Sequence, residues 1–569
     1  MKELDISLKR FKSYKLSSGI KGMDPLVQND LQQMTGEEIR ILSQFCTNMD
    51  KPVFALRNLP EVVKGALFSR YSRAPYSLRM TLLREFIQKP EMGFSEIVNF
   101  QIDRGADEIV AIKKAEEFYD RVLVGYGDDS VAELGGAHIA CENVSNIASK
   151  VLEDSRIGLS PLEKSTRYML FNEKTNGEYR FYKDPAIMQS EFAGLYLKIC
   201  NLLFDAYSGL VDPMMAFIRE KYPQEEGTTD RAYAFTVKAK ACDIIRVFLP
   251  AAALTNVGIF GNGRAFEYLL TKMYASELVE MRNLAGTMQE ELQKVIPSFV
   301  KRANDQYGQV QQKFFTETIN AAKTSASNIL KESVAQSESV VLVDYDKEAE
   351  KKIAATILYS QSKHPMQQIN EAIGNMSEEE RRRIIHDCLN TRSNRRHRPG
   401  RPFEAASYTF DLLGNYAIYR DLQRHRMLTQ ERQRLTTHNG YDTPKELVEA
   451  GFADKYRDCM EKAREAFEEI SERFPQQAQY IVPFGYRIRW YFHLNLRELY
   501  HLLELRTMRQ GHPDYRKMCQ EMFRQAQKVH PFLMSFMKFI DMNDYELERL
   551  ESEKRIDKKM EEVKKKYGS

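Results

Sequence analysis

The stretch RPFEAASYTFDLLGNYAIYRDLQRHRMLTQERQRLTT (Arg401–Thr437) has a counterpart earlier in the chain, GDDSVAELGGAHIACENVSNIASKVLEDSRIGLSPLEKSTRY (Gly127–Tyr168). Each stands inside a similar succession of segments. The first succession opens with KPVFALRNLP (Lys51–Pro60), read as an apolar strand, and closes with RVFLPAAALTNVGIFGNGRAFEYLL (Arg246–Leu270). The second opens with VVLVDY (Val340–Tyr345) and closes with FGYRIRWYFHLNLRELYHLLELR (Phe484–Arg506). In both, a long helix is entered at an Asn-x-Arg, Asn262-x-Arg264 and Asn495-x-Arg497. Repetition of this kind implies a duplicated unit. Strands mixed with many helices place each unit in the α/β (α+β) class, a twisted sheet flanked by helices. The expected division is residues 1–325 and 340–569, joined through the Ser- and Ala-rich Lys323–Ser339. From about residue 545 the chain is a charge run, read as a solvated terminal helix.

Composition narrows the function. The 569 residues carry 83 Lys and Arg against 80 Asp and Glu, so no global charge argues for nucleic acid as the partner. Seven cysteines without a CxxC pair make a disulfide framework or a cysteine-rich zinc site a poor reading. The opening MKELDISLKRFKSYK has no apolar signal core, and Val247–Leu254 is too short to span a bilayer. The expectation is a cytoplasmic protein with no membrane partner. No GxxxxGK[ST], HExxH or GxSxG occurs, and GIFGNG (Gly258–Gly263) lacks the dinucleotide-loop spacing. The ten histidines show no ligand spacing; His493 and His501, eight apart, would share a helix face, and no metal site is expected.

Arginine at close spacing stands out instead. Arg424-His425-Arg426 gathers cations suited to phosphate, because guanidinium is planar, bidentate and charged even when desolvated. Ser160-x-x-Glu163-x-Ser165-x-Arg167-Tyr168 would set Glu163, Ser165 and Arg167 on one face of an extended segment. Arg506 lies eleven residues beyond Asn495, close to three helical turns, which puts both on one face. In the first half the position eleven beyond Asn262 is Met273, and the partner of Arg246 in the second half is Gln479.

These clusters resemble the flavin-dependent thymidylate synthases, whose signature is RHRxxSxNExSxRY with an upstream HxSPFEH-like element. The resemblance covers most of both halves, so the chain looks like a tandem fusion of two family domains. The second half keeps Arg424-His425-Arg426 and Pro402-Phe403-Glu404, with Arg432, Arg434 and Thr436 where the family has Glu, Ser and Arg. The first half keeps Ser160, Glu163, Ser165, Arg167 and Tyr168, with Ser155-Arg156-Ile157 in place of RHR. Such complementary loss implies a fused pseudo-dimer with one composite site and one degenerate site. By resemblance, Glu163, Ser165, Arg167, Arg246 and Arg424 contact dUMP, and Arg506 polarises the uracil, with Arg506 and Ser165 catalytic. Arg424, His425, Arg426, Glu404, Asn495 and Arg497 would hold FAD. The family's flavin-packing histidine is Asp128 in one half and Pro399 in the other.

The reaction implied is reductive methylation of dUMP to dTMP, with methylenetetrahydrofolate supplying the carbon and NADPH reducing FAD. The chain has no Pro-Cys of the other thymidylate synthases, and Cys242 reads as core. Two fused chains would pair again as a homodimer mimicking the family's tetramer. Two alternatives stand beside this: an inactive paralogue that still binds flavin or nucleotide, and a nucleic-acid-binding protein using Arg392, Arg395, Arg396, Arg398 and Arg401 with Arg424–Arg426. That basic run could otherwise clamp cofactor phosphates.

Overall fold

The computed structural model describes residues 24–89, 129–155, 157–332, 334–335 and 338–568. In the first half, β1 (Gly136–Ser145) runs into helix α1 (Asn146–Asp154), followed by β2 (Leu159–Glu163). After several helices come α2 (Asp230–Ile245), β3 (Leu254–Asn262), α3 (Gly263–Tyr274) and α4 (Val279–Gln293). Helix α5 (Gln306–Ile329) leads to the second half, which starts with β4 (Val340–Tyr345). There β5 (Ser407–Asn415), α6 (Tyr416–Leu422) and β6 (Leu428–Arg432) precede α7 (Ala453–Arg473), β7 (Arg487–Asn495), α8 (Leu496–Arg506) and α9 (Pro513–Val529). The chain ends in α10 (Leu550–Tyr567).

The strand-to-helix corners are set by short polar caps. Ser145 accepts from the Ala148 amide and Asn415 from Ile418, starting α1 and α6. Asn262 and Asn495 do the same for α3 and α8, which explains why each Asn-x-Arg marks a helix entry. Upstream of each cap, β3 and β7 alternate buried and open residues in the same order, the period-2 signature of a sheet with one packed face.

Both sheets are antiparallel, ordered β1-β3-β2 and β4-β5-β7-β6. The strands β3 and β7 correspond at a constant offset (487 − 254 = 233), and β2 and β6 keep register with them, whereas β1 carries an irregularity between Cys141 and Val144 that β5 lacks. Glu163 pairs with Val257 and Arg432 with Trp490, so Glu163 and Arg432 are mates. The halves meet in an arrangement with the same offset. Ala251 N–H donates to Val482 O, and its mate Phe484 N–H donates to Leu249 O, each at 2.9 Å. Ala252 to Tyr480 (2.7 Å) is likewise mirrored by Gly485 to Val247 (3.0 Å), around a bridge between Pro250 and its own mate Pro483. Reciprocity of this kind defines an isologous two-fold interface, here within one chain. It requires a glycine at 485, where a Cβ would stand 2.0 Å from the Tyr456 hydroxyl.

Four local expectations change. Lys51–Pro60 forms no strand, only a bridge from Leu56 to Cys46, because prolines remove two amide donors and Asn58 turns the backbone at φ 55°. The stretch read as a linker from Lys323 is helical as far as Ile329. His493 lies in β7, not on a helix with His501, because Asn495 begins the helix after it. The terminal charge run is anchored at its start. Glu553 and Asp557 of α10 pair with Arg231 of α2, and Glu548 pairs with Lys240 at 2.8 Å. No helix among the described residues is long and apolar enough to cross a membrane.

Candidate active site

Residues of the two halves converge on one buried ionic network. Glu163, at the end of β2, takes 3.0 Å from Lys150 Nζ on α1, 2.8 Å from Arg420 Nη2 on α6 and 3.3 Å from Arg424 Nη2. Burial opposes its ionisation, yet Arg420, Lys150 and Arg424 hold its carboxyl well below the usual carboxylate range. Lys150 also pairs with Glu153, and Arg420 reaches Thr166 Oγ1 at 3.1 Å.

The chain turns after Glu163, so the extended spacing expected for Glu163, Ser165 and Arg167 holds only for the first of them. Ser165 Oγ accepts from the Arg167 amide at 3.2 Å and Ser165 O from the Met169 amide, closing the turn because a short hydroxyl side chain competes for nearby backbone donors. The turn aims Arg167 at Asp243 on α2 in a bidentate pair, 2.7 Å in each arm, and at Tyr515 Oη, 3.2 Å. Arg506 of α8 approaches the same Tyr515 ring from the other half, its guanidinium carbon 5.7 Å from the centroid.

Among the described residues, Arg246, which follows α2 at 1% exposure, makes two long contacts, 3.4 Å each, to Asp421 Oδ2, and its Nε has no partner. Burial lowers its pKa, with Asp421 and Asp243 opposing. Asp421, although burial works against it, is held well below the usual carboxylate range by Arg246, Arg167, Arg424 and Arg506. One carboxylate is thus shared electrostatically among four arginines drawn from both halves. A buried guanidinium that is only partly satisfied is costly unless an anion completes it.

His425 is buried with both ring nitrogens engaged. Arg506 Nε donates to Nε2 at 3.0 Å, so Nε2 carries no proton, and Nδ1 faces Glu498 Oε1 at 2.8 Å. Burial, Arg506 and Arg398 push the imidazole well below its ordinary pKa, consistent with a neutral ring. His501 joins this group, its ring 5.4 Å from His425. His425, Glu498 and His501 place their donor atoms within 4.8 Å of one another, a grouping the histidine spacing did not suggest. The charges of Arg398, Arg497 and Arg506 around Glu498 oppose a cation there. Arg426 reaches across the halves to Leu159 O and Ser160 Oγ, 3.0 Å each. Arg497 pairs with Glu404 at 3.3 Å and donates to Pro399 O at 2.9 Å, and Asn495 spends its Oδ1 on the α8 cap.

The sequence-expected residues therefore meet: Glu163, Arg167 and Arg246 from one half, Arg424, His425 and Arg506 from the other. Within the basic run, Arg392 is not solvated but buried against Glu504 (2.7 and 3.1 Å), whereas Arg396, Arg398 and Arg401 are exposed. Asp128 and Arg156 lie outside the described residues. Sequence reading missed Asp243, Asp421, Arg420, Lys150 and Tyr515. Asp243 stands three residues before Arg246, and Asp421 three before Arg424, a helical spacing of opposite charges that was open to notice. Nothing local marked Tyr515.

Fold and network together define a mixed helix-and-sheet protein of two related units with an arginine-rich ionic network contributed by both. A family model described as "Thymidylate synthase complementing protein" matches residues 90–298 and 341–532, and the chain belongs to that family. It is 44% identical over 535 residues to a UPF0159 protein of Chlamydia pneumoniae, covering 92% of this chain and 98% of that protein. A UPF0159 protein of Thermoplasma acidophilum is 35% identical over 518 residues, covering 86% and 98%. A crystal structure titled as a UMP/dUMP methylase PolB from Streptomyces cacaoi bound with 5-Br dUMP aligns at 18% identity and TM-score 0.28, over 35% of this chain and 94% of that one.

Proposed function

We propose that the chain is an FAD-dependent thymidylate synthase that converts dUMP to dTMP at a single composite site between its halves, taken as residues 1–325 and 340–569. The observation that carries this reading is Arg246: nearly fully buried, unpartnered at Nε, and facing a carboxylate shared with Arg167, Arg424 and Arg506. A nucleotide monophosphate suits such a cluster, since charge-assisted contacts from several guanidiniums replace its water shell.

The residue chemistry divides the work. Arg167 and Arg246 hold the phosphate, with Ser165 fixing the turn that presents Arg167. Glu163, kept ionised by its three cations, accepts from the sugar or base. His425, neutral and accepting from Arg506 Nε, orients that guanidinium toward developing negative charge on the uracil, a preorganised contribution that costs no rearrangement. Arg424, at 37% side-chain exposure and with one long contact, together with Arg426 and Arg497, offers guanidinium donors that fit the FAD diphosphate. Glu404 orients Arg497, and Asn495 caps the helix that carries it. FAD would supply the hydride chemistry, with methylenetetrahydrofolate and NADPH as cosubstrates.

A second reading has its own support. Pro399 stands where the family's flavin-packing histidine would be, and Asp243 and Asp421 already neutralise the phosphate arginines, which suits a paralogue that binds without turnover. Titration of dUMP into the FAD-loaded protein, followed by the flavin absorption bands, tests both. A saturable change followed by dTMP formation supports the enzyme. Flavin bound without a dUMP response supports the paralogue, and no flavin binding rejects the enzyme.

A further inference from the structure

The last stretch of the chain, beyond the family-matched residues, brings another arginine to the site. Arg549 stands at the entry to α10 at 8% exposure, and its Nε is buried without a partner among the described residues. It donates to the hydroxyl of Tyr168, the residue after Arg167, and its guanidinium carbon lies 4.2 Å from the centre of the Tyr168 ring. Its one acidic neighbour with an appreciable attraction, Glu553, is already bonded to Arg231. Burial and the charge of Arg167 together push its pKa down to about 9. Two like charges thus sit close together with too few carboxylates: Arg167 is compensated by Asp243, and Arg549 by little.

We propose that Arg549 is an anion-binding residue of the composite site, reaching with Arg167 for the phosphate of the nucleotide. The inference rests on the nucleotide reading above. A phosphate dianion beside the pair would satisfy the orphaned Nε and cancel the repulsion between the two guanidiniums. The ionic clasp between α10 and α2, Glu553 and Asp557 on Arg231 and Glu548 on Lys240, then has a purpose beyond stability: it delivers Arg549 to Tyr168.

The test compares dUMP with deoxyuridine, which lacks the phosphate, by calorimetry on the full chain. Arg549→Gln should weaken dUMP by roughly 10- to 100-fold, the size of one charge-assisted contact. It should leave deoxyuridine within about twofold, and Arg549→Lys should recover part of the loss. Arg231→Gln loosens the clasp that delivers Arg549 and should weaken dUMP in the same direction, again sparing deoxyuridine. Equal loss of dUMP and deoxyuridine in R549Q would mean a packing role and overturn the proposal. Full dUMP affinity in R549Q while Arg167→Gln loses it would also overturn it and leave the composite site standing. If R167Q retains affinity as well, it is the nucleotide reading that fails.

Discussion

Glu163 and Arg432 occupy equivalent positions in the two sheets and have opposite surroundings. Around Glu163, three cations converge and its side chain has no exposure. Around Arg432, one carboxylate, Asp154 (2.7 and 2.8 Å), and the Tyr419 hydroxyl (3.0 Å) complete the shell. Counted from the helix caps Ser145 and Asn415, Asp154 is the mate of Arg424. The cross-half pair Glu163–Arg424 therefore recurs as Asp154–Arg432, with the acid and the base exchanged between the equivalent positions. Both acids belong to the first half and both arginines to the second. A symmetric interface has become a complementary one, which favours pairing of unlike halves over like.

The rest of each region follows the same division. The mate of Arg246 is Gln479, whose Oε1 accepts from Leu435 N–H and whose Nε2 donates to Gln476 O. The mate of Arg506 is Met273, fully buried in the core. Beside the composite site a cavity of about 600 Å³ opens along Asp243, His512, Asp442 and Val247. At the mate of Val247 stands Tyr480, packed on Tyr182 with ring centres 4.9 Å apart and bonded to Glu280 at 2.7 Å. One region kept its buried arginines and open space, while the other holds Gln479, Met273 and Tyr480 at the mates of Arg246, Arg506 and Val247.

The largest expected break in this contrast is Glu163→Ala. It strands Arg420 inside the protein and leaves Lys150 with Glu153 alone, and should cost roughly 3–5 kcal/mol in urea unfolding, the cost of a broken buried pair. Asp154→Ala, whose pair with Arg432 is partly exposed, should cost about 1 kcal/mol or less. Equal costs would erase the distinction between the regions. Next come Arg167→Ala and Arg424→Ala, each expected to weaken dUMP by about 1.5–3 kcal/mol. In a double-mutant cycle they should be non-additive, because they serve one site, whereas Gln479→Ala at the mate position should leave dUMP affinity unchanged. Full additivity would argue for two sites.

A smaller effect sharpens the complementarity. Asp154→Arg and Arg432→Asp should each destabilise by about 1 kcal/mol, and the double swap should recover most of it. The smallest concerns pH. Burial and nearby arginines lower the pKa of His425, and burial lowers that of His501 to about 4, so both are neutral when folded. A lowered pKa gives stability present above the unfolded value, about 6.5, and lost as pH falls toward the folded one. The melting temperature should therefore drop by a few degrees between pH 7 and 5. Replacing His501 with Tyr, the residue at its mate position 268, should flatten part of that slope.

Much of this was legible without coordinates. The Asn caps, the alternation in β3 and β7, and the complementary survival of Glu163, Arg167 and Arg246 against Arg424 and Arg506 are local or compositional facts. They depend on side-chain chemistry and on spacing along one element. The expectation that Ser165 and Arg167 continue a strand failed because a hydroxyl two residues before an amide can close a turn as readily as extend. The solvated ending holds for the exposed last turns of α10 but not for its start, because a charge pattern alone does not say whether a surface elsewhere carries the matching charges.

By itself, then, the order of residues determined that there are two related units and which half kept which charges, since duplication and residue type are written along the chain. Only the tertiary structure decided that Asp243 and Asp421 neutralise the cluster, that Tyr515 stands between Arg167 and Arg506, that Asp154 mirrors Arg424, and that Arg549 returns to Tyr168. Those facts join residues up to 381 positions apart. No periodicity encodes such meetings; they arise when packing brings charges into a medium where each must find a partner.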